Sequence, residues 1–495
     1  MIDGSRRLVV AAVGVLVFAA AAAAGPLQDD LTARRARLVE RLGPNALAIF
    51  WSAEPKVYSN DTDYEFRQDS DLLYLTGIAQ EGAILVLMPG NKTQRELLFV
   101  KDRNPAREQW TGTLLTPEQA KSQTGVDRVF RTSQFDEIIA GFLNRLPVGG
   151  DEDPIDASRF YEALSAGRAR VALALGPRPL NSALTPELEF AQKIRERYVG
   201  FQVADASPTL NALRAVKTPY EQRILTRSAE ISGEAQMAGM RAAHPGAYEY
   251  EVLAAIEAVQ KGRGAVSWSY PSIVGSGPNA TTLHYPDGDR QMRAGDLLLV
   301  DAACNYDYMS GDITRTYPVN GKFSAAQKDI YRIVLQAQEE GIRAASKPGA
   351  TLQDIHARTV DVIKAGLLAL GLIADLRGEE YKLWYTHGAS HYIGIDVHDV
   401  GSRTRALQAG MAFTIEPGIY IRQSALDALP RTPENLALVE RVQPAVRKYA
   451  DIGVRIEDSF LVEETGLRNL SAAVPKTIEA VEAFLARTPD SKGQP

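Results

Sequence analysis

The sequence predicts a chain of two domains with mixed helix and strand, and three observations carry that prediction. At 495 residues the chain exceeds what a single hydrophobic core organises, so two domains are the default. Up to residue 206, short apolar runs suited to strands alternate with amphipathic stretches suited to helices, the pattern of an α/β unit. Beyond it, long helices opened by capping boxes frame further strand-like runs, and the residues richest in chemistry sit in those runs. The composition is that of a globular protein, 45% apolar and 23% charged. A net charge of −6 and a pI near 5.7, with no basic stripe, give no electrostatic case for a nucleic-acid partner.

The elements follow in order. Arg6-Arg7 precede an unbroken small and apolar run over 8–24 that closes on Ala22-Ala23-Ala24. Residues 1–25 therefore read as a cleavable export signal, and the protein as periplasmic or secreted. An uncleaved anchor is the alternative, although a run this short and Ala-rich is marginal for spanning the hydrocarbon core. Arg6-Arg7 before Leu8-Val9-Val10 resembles a twin-arginine signal. Cys304 is the only cysteine, so no intrachain disulfide can form, and it reads as a small buried residue.

The first domain, 27–206, is predicted from strands at 46–51, 83–88, 97–100 and 171–175 and an amphipathic stretch at 135–146. It holds no cluster of His, Asp and Glu, so a structural or assembly role is expected. The second domain spans 207–485. Thr218-Pro-Tyr-Glu221 is a capping box that starts a long helix, Ser324-Ala-Ala-Gln327 is another, and Thr351 caps a third helix with Leu352, Ile355, Ile363 and Leu367 as its apolar stripe. His356 on that helix and His244 read as ordinary surface residues. Runs 297–301 and 310–319 are predicted as neighbouring antiparallel strands. Runs 412–421 and 454–462 are two more, with Arg455 and Glu457 on one face of the last. The stretch 422–450 reads as a charged excursion between strands, and 486–495 as a disordered tail.

Asp301, Asp312, His391, Glu416 and Glu457 all fall in this second domain, on what reads as strand sequence. Four carboxylates carry about −4, which two divalent cations neutralise and one does not. The set therefore predicts a two-metal hydrolase in which paired ions activate a bridging water. One imidazole among four carboxylates is an oxygen-rich site that suits Mn2+, with Zn2+ or Co2+ as alternatives.

The local words carry a resemblance. Tyr270-Pro-Ser-Ile-Val-Gly-Ser-Gly, Leu283-His284-Tyr285, Leu299-Val-Asp301-Ala, Gly311-Asp312-Ile-Thr-Arg-Thr, His387-Gly-Ala-Ser-His391, Asp396-Val-His398-Asp-Val-Gly, Glu416-Pro-Gly-Ile-Tyr420 and Arg455-Ile-Glu457-Asp resemble the aminopeptidase P and prolidase family of metallopeptidases. Arg67-Gln-Asp-Ser-Asp-Leu-Leu-Tyr-Leu-Thr-Gly77 resembles its amino-terminal domain, and Glu108-Gln-Trp110-Thr-Gly112 does so more weakly. The resemblance implies an α+β fold: a pita-bread catalytic domain at the C-terminus, preceded by a smaller α/β creatinase-like domain. It implies Asp301, Asp312, His391, Glu416 and Glu457 as ligands of a dinuclear site, with Asp312 and Glu457 bridging.

The implied activity is hydrolysis of the first peptide bond of substrates with proline at the second position, by way of a hydroxide shared between the metals. Glu416 would act as general base, and His284 and His398 would serve the oxyanion or the leaving nitrogen. His387 would line the substrate pocket. Tyr420 and Arg455 would contact substrate, or Arg455 would instead orient the carboxylates. Homo-oligomers, dimers or tetramers, are implied as well, with the first domain as the contact and Trp110 reaching towards a neighbouring site. The rival readings are a prolidase restricted to dipeptides, a creatinase-like amidinohydrolase without metal, and a binding module on the same fold. The last two are disfavoured by the five intact ligand positions, and methionine aminopeptidases usually lack the first domain.

Overall fold

A computed structural model of the chain describes residues 25–149 and 154–487. The residues expected to form an export signal, apart from Gly25, and those of the expected tail from 488 onward lie outside the described residues. Among the described residues no helix is long and apolar enough to cross a membrane. The final helix, Ile478–Ala486, takes in the residue at which the tail was expected to start.

The first domain is a six-stranded mixed sheet in the spatial order Arg128–Arg131, Glu96–Val100, Ile84–Leu87, Ala46–Trp51, Arg170–Leu173, Gln202–Asp205. All four apolar runs read from the sequence are strands of this sheet. Alternation along Ala46–Trp51 sends Leu47 and Ile49 to one face, with Phe135, Ile139 and Phe142 of helix Phe135–Leu143. It sends Ala48 and Phe50 to the other, with Leu38, Leu72 and Leu75. Leu38 belongs to helix Pro26–Leu42, which the sequence reading did not identify. The second core continues into the second domain. It takes in Leu210 and Leu213 of the connecting helix Ser207–Arg214, then Met309, Ile393, Ile395 and Leu461. The two domains thus share apolar packing rather than a bare linker.

The second domain repeats one arrangement twice. Helices Pro219–Ala242 and Glu249–Gly262 pair, and are followed by the antiparallel strands Ile273–Ser276, Leu297–Asp301 and Thr314–Pro318. Helices Ala325–Ala345 and Leu352–Ala369 pair, and are followed by the second strand group. The three capping boxes at Thr218, Ser324 and Thr351 are all formed. Each half carries a fully buried glutamine on its first helix that ties the helix to strand carbonyls. Gln236 Nε2 donates to the carbonyls of Ala302 and Ile313 at 3.1 and 2.8 Å. Gln338 Nε2 donates to those of Ile415 and Ile456, both at 3.2 Å.

Two strands expected to be continuous are broken, and the breaks hold Glu416 and Glu457. Run 412–421 divides into Ala412–Ile415 and Gly418–Ile421, and run 454–462 divides between Ile452–Arg455 and Asp458–Glu463. Ala412–Ile415 pairs with Asp458–Glu463, Ile415 opposite Asp458, and Gly418–Ile421 pairs with Ile452–Arg455, Gly418 opposite Arg455, in separate sheets. Glu416-Pro417 therefore faces Ile456-Glu457 where both chains change sheet. Pro417 has no N–H to continue a ladder. The Glu457 N–H leaves its neighbour and donates to Thr314 O at 3.1 Å, joining the two halves. Only Asp301 lies within a strand. Asp312 follows strand Met309–Ser310 in a loop, and His391 precedes the single bridge of Tyr392 to Phe413. The expectation that every ligand sits on a strand is corrected accordingly. The excursion 422–450 is helical, Gln423–Asp427 and Pro433–Tyr449, and it buries Val442, Val446 and Tyr449 against the core.

Candidate metal centre and peptide-cleaving site

The breaks and loop ends aim their side chains at one point. Ligand atoms of Asp312, His391 and Glu457 all lie within 4.8 Å of one another. His391 Nε2 is 3.3 Å from Asp312 Oδ2 and 3.5 Å from Glu416 Oε1. Its Nδ1 lies 3.1 Å from the Tyr392 carbonyl. That contact assigns the proton to Nδ1 and turns the Nε2 lone pair towards the carboxylates. Asp301 joins through hydrogen bonds: the single Tyr270 hydroxyl stands between Asp301 Oδ1 and Asp312 Oδ1, within hydrogen-bonding reach of both and 2.6 Å from the latter. Arg455 Nη2 donates to Asp301 Oδ2 at 2.5 Å.

Burial and crowding of like charge set the electrostatics. Burial, reinforced by Asp301, pushes the Asp312 carboxyl up to about 8. Burial and neighbouring carboxylates push Glu416 and Glu457 well above the usual carboxylate range. Arg455 is the one cation bonded into this group among the described residues, so the carboxylates outnumber their counter-charge. Oxygen-rich donors in excess of protein cations, with an imidazole nitrogen presented to them, fit divalent metal ions. The five residues read from the sequence are the ones that would hold them.

A donor chain fixes the wall beside this centre. Arg455 Nη1 donates to Tyr420 Oη at 2.9 Å. Tyr420 Oη lies 2.8 Å from His387 Nε2, and His387 Nδ1 lies 2.8 Å from Gly388 O. A backbone carbonyl only accepts, so Nδ1 carries the proton and Nε2 accepts from Tyr420. Burial and Arg455 push His387 down to about 3, so the ring is neutral. Arg455 is 3% exposed, and its Nε also donates to Thr314 Oγ1 at 3.2 Å. Arg455 is thus bonded at once to Asp301, Tyr420 and Thr314.

His398 stands at the open side, its ring 4.3 Å from that of His391 at an interplanar angle of 71°. Burial, with His391 and His284 nearby, lowers its affinity for a proton. His284 is exposed and near enough to His398 to contribute to that shift. His244 is exposed as expected. His356 is not an ordinary surface residue: it is half-buried, and its Nδ1 accepts the Ala389 N–H at 3.2 Å, behind the His387–His391 loop. No acidic cluster surrounds it in sequence, and only the fold brings the loop over it.

Three further residues belong to the site although sequence reasoning gave them no role. Tyr270 clamps Asp301 and Asp312, and as the first residue of its motif it was within reach of that reading. Thr314 Oγ1 donates to Glu457 Oε2 at 2.7 Å. Arg315 donates to the Glu457 backbone carbonyl and to Asp458 Oδ1, the latter at 2.7 Å. Asp458 also accepts from Lys476 and Ser471, and the two cations hold its carboxyl well below the usual range despite burial.

A pita-bread α+β domain with this donor set at its centre defines a metallopeptidase. The model of metallopeptidase family M24 matches residues 223–464, and that of the aminopeptidase P N-terminal domain matches 31–148. The Xaa-Pro aminopeptidase of Escherichia coli K12 is 34% identical over 473 residues, 92% of this chain and 98% of that protein. That of Haemophilus influenzae is 32% identical over 470 residues, 92% of this chain and 97% of that one. The solved Pseudomonas aeruginosa aminopeptidase PepP superposes with a TM-score of 0.78 at 33% identity, over 93% of this chain and 98% of that one. E. coli aminopeptidase P with the inhibitor Pro-Leu gives the same four values. The zinc-substituted E. coli enzyme in complex with product gives 0.78 at 32% identity, with coverage of 93% and 98%. The chain belongs to the aminopeptidase P family and is a metallo-aminopeptidase.

Proposed function

We propose that this enzyme removes the first residue from peptides with proline at the second position, using two divalent metal ions held by Asp301, Asp312, His391, Glu416 and Glu457. The observation that carries the reading is the convergence of Asp312, His391, Glu457 and Glu416 from four separate chain segments. When bound, the ions would lower the pKa of a shared water and polarise the scissile carbonyl. Glu416, whose Oε1 faces the same imidazole nitrogen as Asp312, takes a proton from the attacking water and returns it to the leaving nitrogen. His398 and His284 stand on the open side, where an imidazole donates to the developing oxyanion. Neutral His387, locked by Tyr420 and Arg455, forms the fixed wall against which the substrate packs. Mn2+ suits the oxygen-rich set, with Zn2+ or Co2+ as alternatives.

A dipeptidase would need a cation free to meet the proline carboxylate. Arg455, the candidate, is buried and bonded to Asp301, Tyr420 and Thr314, which favours the aminopeptidase. A panel of Xaa-Pro-Yaa peptides and Xaa-Pro dipeptides, run with each divalent metal, tests this. Release of the first residue from tripeptides and longer peptides is expected, with dipeptides the poorer substrates. Cleavage of dipeptides alone would make the enzyme a prolidase.

A further inference from the structure

Two motifs of the sequence have no part in the chemistry so far: Arg67–Gly77 in the first domain, and the residues that flank His398. The fold brings them together. Arg214, on the helix that connects the domains, is 5% exposed and spans both. Its Nη1 donates to Asp71 Oδ1 at 2.6 Å, and its Nη2 donates to Asp396 Oδ2 and Asp399 Oδ1, each at 2.7 Å. From the first domain, Arg67 Nη2 and Ser70 Oγ donate to Asp396 Oδ1 at 2.7 and 2.8 Å. Lys217 Nζ donates to Asp399 Oδ2 at 2.9 Å. Asp71, Asp396 and Asp399 thus face Arg67, Arg214 and Lys217, and the charges balance.

The two aspartates bracket the catalytic-side loop. Asp396 lies two residues before His398 and Asp399 directly after it, so one guanidinium nitrogen grips the chain on both sides of the imidazole. The loop has little slack. The Asp399 N–H donates to Tyr392 O at 2.9 Å, and the Gly394 N–H donates to Asp396 O at 3.0 Å. A Cβ on Gly394 would lie 2.0 Å from Asp399 Oδ2, so glycine permits the close approach. A surface pair would contribute little, but paired charges around a nearly buried arginine, bonded in fixed geometry, hold position firmly.

We propose that the first domain positions His398: Asp71, Ser70 and Arg67, acting through Arg214 and Asp396, hold the loop that sets the imidazole against His391. This rests on His398 acting on substrate, as in the function proposed above. Asp71→Asn in the full-length, metal-loaded enzyme should lower kcat roughly tenfold, the scale of a small misplacement of a reacting group, with KM little changed. In a His398→Ala background the same substitution should add no further loss, because the two residues act as a unit.

A second readout does not depend on activity. Only six histidines are present, so imidazole Cε1–H signals of the zinc-loaded protein resolve individually and are assigned by substitution. The His398 signal should move in Asp71→Asn while that of exposed His244 stays. If Asp71→Asn does not fold, Ser70→Ala with Arg67→Gln loosens Asp396 from the exposed edge and should move the same signal. Losses that multiply in the double variant, or a His398 signal that stays while only the thermal midpoint falls, would overturn the proposal. Full activity of His398→Ala would instead overturn the role of His398, and the imidazole signal would still decide the positioning.

Discussion

Asp312 shows how much one residue depends on its surroundings. Its carboxyl ordinarily titrates at 3.8 and is pushed up to about 8 by burial and by Asp301. In chelator-treated protein the folded state then holds a proton that the unfolded chain releases. This contribution to stability is fully present below about pH 4 and is lost as pH rises through about 8. The thermal midpoint of the chelated enzyme should therefore fall between about pH 5 and about pH 8, and a saturating divalent metal should restore it at the upper end, since ion and proton compete for the same oxygens. A midpoint that rises with pH in chelator would contradict the assignment. Asp312→Ala and Glu457→Ala should each abolish peptide cleavage and lower bound metal in elemental analysis, because either residue serves the shared centre. The charged residues of this site were legible in the sequence because carboxylates and imidazoles within short matching words are unusual. Tyr270 and Thr314 were not: a hydroxyl is common everywhere, and only the fold shows that these two donate to ligands.

At the scale of elements, the ligands occupy the places where regular structure stops. Runs 412–421 and 454–462 read as unbroken strands because their apolar residues continue across Glu416 and Glu457. Nothing local marks the change of sheet except Pro417, and period-2 alternation cannot register a switch between partners. The capped helices, by contrast, were legible to the residue, since a capping box is a local hydrogen-bond pattern. Strand Ile452–Arg455 is held tightly from the other side. A Cβ on Gly453 would meet the Ala280 carbonyl oxygen at 2.0 Å and the Thr281 nitrogen at 2.9 Å, both backbone atoms that cannot rotate away. Gly453→Ala should destabilise the protein by about 1–3 kcal/mol and pull Arg455 from Asp301. Calorimetry and a metal titration would show both effects together, and an unchanged melt would show the strand to be more yielding than its packing suggests.

For the whole molecule, the first domain's sheet and shared core explain why its strands were readable and its docking was not. Apolar runs announce strands, whereas Arg214 meets Asp396 and Asp399 across a wide gap in sequence. The reading of residues 1–25 makes a prediction at this scale. If the twin-arginine route carries the folded enzyme, Arg6→Lys with Arg7→Lys should block its appearance outside the cytoplasm. Unchanged export would indicate the general secretory route, and a mature protein that still begins at Met1 would indicate an anchor.

The division of the centre between two halves bears on how the enzyme is made. Asp301 and Asp312 come from the first half; His391, Glu416 and Glu457 come from the second. A nascent chain folds from its N-terminus as it emerges, yet it cannot assemble the full donor set until the segment that carries Glu457 has emerged. Metal acquisition is therefore a late event, coupled to the closing of the last strands. The compartment in which those strands close decides which ions are on offer. A chain that crosses a membrane unfolded would meet its metals outside, and one that crosses folded would carry the cytoplasm's choice with it.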